Sequence, residues 1–250
     1  VAAGFSTLAW VLVVWKLPES IPAGSVPRQT ARVLSRRGVV DTIRLPGVAR
    51  LMAIAFLTIL AWATMEGTFA IFLQERMSWS PRAIGFAFAG SGLVSALVQG
   101  GLIRPLVPRF GELKLILVGV VLAGLGFVGV ALTSTANVGS LAAAVMFFSV
   151  GSGLISPSIS GLLSRITPMS EQGAVFGALT STQTLARIIS YLTGNILLAR
   201  VSPSAPYWFG ATVYLAALIA AAWFAPNLAA ALARSKAEAA AEEFAVSEGA

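Results

Sequence analysis

The sequence predicts an all-α integral membrane protein with six transmembrane helices. Three observations lead there: an extreme apolar composition, six apolar runs of spanning length, and basic residues gathered between those runs. Hydrophobic residues make up 57% of the 250 residues and charged residues only 11%. A soluble domain carries about 25% charged residues to wet its surface, so this chain needs lipid as its solvent. A spanning helix needs ~20 mostly apolar residues, and the windows 51–73, 82–103, 113–133, 139–163, 173–199 and 207–225 meet that length. A barrel would instead alternate apolar and polar positions over strands of ~10 residues. These runs are longer and apolar on every side, so helices satisfy the backbone here.

The connections carry turn chemistry. Ser80 is a good helix cap and Pro81 a good first helical residue. Residues 1–15 are apolar but too short to span, and read as the end of a preceding transmembrane helix. With Val1 in first place, the sequence reads as a fragment or truncation. Residues 16–50 are polar, hold Pro18, Pro22, Pro27 and Pro46, and read as a cytoplasmic linker. Residues 51–225 form the expected six-helix domain, and 226–250 an Ala/Glu-rich cytoplasmic tail, a frayed helix or disordered.

Orientation follows from Lys and Arg, which are retained on the cytoplasmic side. Thirteen of them fall in the linker, at Arg104, Arg109, Lys114 and Arg165, and at Arg234 and Lys236. Three, Arg76, Arg82 and Arg200, fall on the other side. The ratio places the linker and C-terminus in the cytoplasm of a cell-membrane protein. The net charge of +7 is explained by these loops, and no basic stripe with interleaved aromatics marks a nucleic-acid partner. Cysteine and histidine are absent, which removes zinc sites, thiol nucleophiles and Ser-His-Asp triads. None of the three lysines stands in a Walker motif. No enzyme constellation, cofactor site or metal site is expected.

Two charges lie inside predicted spans, Glu66 and Arg187. An intramembrane charge costs ~2.5–3.5 kcal/mol on insertion scales and marks function by default. Both helices leave the cytoplasmic side. At ~1.5 Å per residue, Glu66 lies ~22 Å and Arg187 ~21 Å along them, so an ion pair is geometrically allowed. Such a pair either binds protons or cationic substrate, with Arg187 tuning Glu66, or statically ties two helices. Ser152, Ser156, Ser160 and Ser164 form one row at four-residue spacing, and Ser149, Gly153, Pro157 and Gly161 a second. Such rows serve close packing, while a mid-span Pro157 frees a carbonyl of the kind that lines transport cavities. Gly173 and Gly177 form a further small-residue seam. Some of the polar run Thr180, Ser181, Thr182, Gln183 and Thr184 must face a cavity or a partner helix. Gln99 is a weaker cavity candidate.

Several segments resemble the major facilitator superfamily, specifically drug/proton antiporters related to tetracycline efflux proteins. They are Leu17-Pro18-Glu19-Ser20, Met65-Glu66-Gly67-Thr68-Phe69-Ala70, and residues 101–114 with Gly101, Arg109, Phe110 and Gly111. The run from Gly153 through Pro157, Ser164 through Pro168, and Glu171-Gln172-Gly173 completes the set. The stretch at 101–114 resembles the second copy of the family's cytoplasmic loop motif. Pro105 and Leu106 stand where the first copy has Asp and Arg. Tyr191 through Asn195 stands where the family usually has Gly-Pro. The resemblance implies the C-terminal half of a twelve-helix carrier, built as two inverted three-helix repeats, with the N-terminal half missing. It implies spans 51–73 and 139–163 on one cavity, and proton-coupled efflux of a small lipophilic molecule by alternating access, with no covalent chemistry. A membrane receptor or scaffold, or an importer of the same superfamily, is the alternative.

Overall fold

The computed structural model describes residues 2–16, 45, 47–133, 137–169 and 171–248. In chain order the helices are α1 (Ala2–Lys16), α2 (Val48–Met77), α3 (Pro81–Phe110), α4 (Glu112–Leu132), α5 (Val138–Arg165), α6 (Gln172–Arg200) and α7 (Ala205–Glu248). The expected linker falls almost wholly outside the described residues, including its prolines and the Leu17–Ser20 segment. Each predicted span coincides with one of α2–α7, the third running one residue past α4 to its cap Thr133. Five of these six are long and apolar enough to cross a membrane. The sixth, α6, is equally long, but its polar run and Arg187 dilute its apolar character.

Local chemistry sets several boundaries. Ser80 Oγ accepts from the Ala83 amide at 3.3 Å, with Pro81 as the first residue of α3. Asn137 caps α5 through the Ser140 amide at 3.0 Å. Gly111, at φ 76° and ψ 155°, turns the chain from α3 into α4, a conformation that side chains disfavour. Within α3, Val98–Leu102 forms a π-helical turn closed by the Ile103 amide on the Val98 carbonyl.

Lipid tails are as apolar as leucine, so helix association relies on close packing and interhelical hydrogen bonds. The α4–α5 seam shows the first. A Cβ at Gly151 would lie 2.5 Å from both the Ala123 amide nitrogen and the Gly119 carbonyl oxygen. The α2–α6 seam shows the second. Thr64 and Ser190 hydroxyls meet at 2.8 Å, and Ser190 also donates to the Leu60 carbonyl at 2.8 Å. Helix α7 closes the bundle against α4 and α2, where Phe72, Phe127, Tyr207 and Tyr214 pack edge to face or tilted.

One expectation is corrected, and one pair of alternatives is narrowed. Gly173 and Gly177 have open space where a Cβ would stand, so they form no seam among the described residues. Pro226 does not end the last helix, which continues to Glu248. Beyond the span, Leu228 and Ala231 are buried against Gly47, and Ser235 donates to the Arg165 carbonyl at 2.6 Å. The tail is therefore a docked extension at its start. Helix α1, within the expected segment 1–15 save for its last residue, carries exposed apolar side chains, Trp10 and Trp15 among them.

The seam predicts a contrast between two glycines. Gly151→Val should lower stability by at least about 2 kcal/mol, within the range of overpacking, and so lower the Tm in detergent. Gly85→Val, where a Cβ meets open space, should leave Tm nearly unchanged.

Candidate functional site

A cavity of about 410 Å³ opens among α2, α3, α5, α6 and α7. Helix α2 gives it Trp62 and Glu66 at four-residue spacing, hence on one face. Helix α3 contributes Ser91, Ser95 and Gln99 at the same spacing, and α5 contributes Ser152 and Ser156. From α6 come Gln183 and Arg187, again one turn apart. Aromatic walls are supplied by Trp62, Phe69, Phe88, Phe148 and Tyr214.

The two predicted intramembrane charges meet there. Arg187 Nη1 donates to Glu66 Oε2 at 2.8 Å, and the side chains are 38% and 39% exposed to the cavity. The guanidinium carbon lies 4.8 Å from the Trp62 ring centroid, a cation–π placement. The Tyr191 hydroxyl donates to the same carboxylate oxygen at 2.7 Å. This arrangement can hold one charge of each sign at a lipid-buried depth while leaving both within reach of a solute.

The opposite wall is a hydroxyl ladder. Ser91 and Ser149 hydroxyls meet at 2.7 Å, while Ser95 and Ser152 donate to the Ser149 carbonyl at 3.3 Å and 3.2 Å. Ser156 is exposed below it, and no hydrogen bond ties its hydroxyl among the described residues. Gln99 sits inside the π-helical turn and lines the cavity; such turns concentrate at functional positions.

Five sequence candidates, Glu66, Arg187, Gln99, Ser156 and Gln183, therefore share one cavity. Pro157 lies inside a continuous α5 and is not among the lining residues. Its row serves packing instead: a Cβ at Gly153 would lie 3.0 Å from Val98. Of the polar run of α6, one residue faces the cavity and the others bond within their own helix. Thr180, Ser181, Thr182 and Thr184 each donate to the carbonyl four residues earlier. Their hydroxyls need neither cavity nor partner helix, and of that run Gln183 lines the cavity.

The loop-motif residues lie elsewhere. Gly101 belongs to the π-helical turn, Arg109 is exposed on the last turn of α3, and Gly111 makes the turn into α4. Beside them is a pair that sequence reasoning missed. Glu112, only 5% exposed, accepts from Arg165 Nε at 2.8 Å. It joins the 101–114 segment to the 153–173 segment. Glu112 also opens α4, where the helix dipole favours a negative charge. Trp62 and Tyr191 were missed as well. Their signal is spacing: Trp62 is one turn before Glu66, and Tyr191 one turn after Arg187.

Fold and cavity define a multi-pass α-helical membrane protein with a charged site between helices. A profile of the Major Facilitator Superfamily matches residues 1–190 and 51–248, and the chain belongs to that superfamily. It is 31% identical to the class C tetracycline resistance protein of Escherichia coli over 178 residues, 68% of this chain and 43% of that protein. It is 28% identical to multidrug resistance protein MdtH of Photorhabdus laumondii over 172 residues, 68% of this chain and 41% of that protein. The structure superposes on the human organic anion transporter MFSD10 with a TM-score of 0.66 at 19% identity, covering 78% of this chain and 48% of that one. The chain thus spans less than half the length of these relatives.

The Glu112–Arg165 pair generates an asymmetric prediction. Arg165→Ala leaves a buried carboxylate without its partner, a loss that reaches about 3–5 kcal/mol for fully buried pairs. Arg165 is 49% exposed, so a loss of about 1–2 kcal/mol is expected after solvent screening. Glu112→Gln leaves only a solvated arginine and should cost less. Thermal denaturation of the two variants in detergent checks the order.

Proposed function

We propose that this chain is one half of a secondary carrier that exports small lipophilic molecules in exchange for protons. The observation that carries this reading is the Glu66–Arg187 pair, set in one cavity with an aromatic and hydroxyl lining. A charge kept at that depth is expensive unless it does work on an ion or solute. Membership of a transporter superfamily, and similarity to tetracycline and multidrug resistance proteins, support the substrate class.

The faces turned away from the bundle support a second half. Between Pro81 and Leu97, α3 has no buried residue, and Gly85 and Gly90 have open space at their Cβ positions. Gly173 and Gly177 on α6 are equally open. Small residues with no neighbour suit close approach by the helices of another unit. In this reading the cavity lies between the halves, and their rocking exposes it alternately to either side. Proton binding at Glu66 and release of Arg187 bias which side is open. Gln99, Gln183, Ser156 and the hydroxyl ladder receive the polar edge of the solute, and the aromatic walls its apolar body. Residues 51–225 form the transmembrane unit.

Sidedness enters the same reading. Arg104, Arg109, Lys114, Arg165 and Arg234 lie at the end where Glu112 meets Arg165 and Ser235 meets the Arg165 carbonyl. Arg76 donates to Ser204 at 3.0 Å at the other end. The basic end is assigned to the cytoplasm. A phosphatase reporter fused after Glu248 should be inactive in intact bacterial cells, whereas a fluorescent reporter at the same point should be bright. The reverse pattern would invert the topology.

The decisive experiment is proton-driven efflux of a tetracycline or a lipophilic dye into everted vesicles carrying the complete carrier. Glu66→Gln should reduce efflux about 5- to 150-fold, the span of a typical coupling free energy, at unchanged membrane abundance. Undiminished efflux would make the pair a structural tie. Absence of any flux in the wild-type carrier would favour a receptor or scaffold.

A further inference from the structure

The donors around Glu66 are distributed unevenly. Arg187 Nη1 at 2.8 Å and the Tyr191 hydroxyl at 2.7 Å both meet Oε2. Oε1 has no partner among the described residues, and Glu66 lines the cavity. An ionised carboxylate offers about four acceptor sites, two on each oxygen. One oxygen is therefore occupied and the other is left for a solute.

Tyr191 reaches Glu66 because residue 67 is glycine. A Cβ at Gly67 would lie 2.9 Å from Tyr191 Cδ1 and 3.4 Å from Cε1. The ring rests in the slot that the missing side chain leaves on α2, next to the carboxylate. Asn195 Nδ2 donates to the Tyr191 carbonyl at 2.7 Å, one turn further along α6. Glu66 and Gly67 are adjacent, so the charge and the slot that admits its donor are written into one dipeptide.

We propose that Tyr191 is a positioning residue for Glu66: it shares Oε2 with Arg187 and so keeps Oε1 turned into the cavity to receive a proton or a cationic group. Gly67 serves the same end by admitting the ring. Without the hydroxyl, the carboxylate is free to rotate and present both oxygens to the forked guanidinium of Arg187, which matches a carboxylate two-for-two. The exposed oxygen would then be withdrawn into a closed pair. The proposal rests on the reading of Glu66 as the charge that a proton or solute meets.

The test is the rate at which a hydrophobic carbodiimide labels Glu66 in native membranes, read by peptide mass spectrometry, with Glu66→Gln defining the background. Tyr191→Phe removes one oxygen atom and keeps the ring. Gly67→Ala keeps the hydroxyl and displaces the ring. Each should lower labelling by about threefold or more, at the lower end of what one hydrogen bond contributes, and a rise in either variant would contradict the withdrawal of the free oxygen. The double variant should change it no further than either single one, because both remove one interaction. Wild-type labelling in Tyr191→Phe would overturn the proposal, whether or not Gly67→Ala is altered, since the ring would then be helix packing alone. Retained efflux in Glu66→Gln would instead overturn the transport role of the carboxylate, a separate result from a separate assay.

Discussion

Helices α4 and α5 touch backbone to backbone, and the placement of the remaining helices follows from that contact. Gly119, Gly126 and Gly151 have no room for even a methyl group. In lipid, where apolar surface gains little by meeting apolar surface, such proximity is the main source of helix affinity. With its glycine face fixed on α4, α5 is free to turn Ser152 and Ser156 the other way, into the cavity. Helix α7 then leans on the outer side of α4, its Gly210 against the Phe127 ring. The cavity wall is a by-product of where α5 cannot rotate.

Against this scaffold the cavity solves an electrostatic problem. Lipid tolerates a carboxylate and a guanidinium only if each finds partners, and here each finds more than one. Glu66 receives two donors on one oxygen. Arg187 has both its carboxylate and the face of Trp62. The site is formally neutral, so it neither attracts nor repels a charged solute at long range. What the cavity offers at contact range is the free oxygen, the hydroxyl ladder and the aromatic rings.

Much of this was legible in the sequence because lipid imposes simple rules. Runs of spanning length gave the six helices, Ser80 and Pro81 gave a helix start, and depth counting put Glu66 level with Arg187. What stayed hidden depends on which neighbour a helix chooses. Small residues at four-residue spacing occur both at Gly173–Gly177, which is unpacked here, and in α4 and α5, which are fully packed; spacing alone does not name the partner. Tyr191 looked like a departure from a motif, because its role depends on a glycine 124 positions earlier. The threonines of α6 looked like cavity residues, yet back-bonding to their own helix satisfies them. The sequence left the tail as a frayed helix or disordered because an Ala-rich charged run carries no membrane signal, and its docking against Gly47 depends on a distant residue.

The π-helical turn in α3 has a geometric consequence of its own. A wide turn holds one residue more than an α-turn, so everything past it is re-phased by about 100° around the axis. Ser91, Ser95 and Gln99 form a single stripe up to that turn, and the stripe ends there. Past it, Arg104 and Arg109 are carried to exposed positions rather than continuing down the cavity wall. One extra residue thus acts as a register joint, by which the same helix lines the cavity along one half of its length and turns charged side chains to the exposed surface along the other.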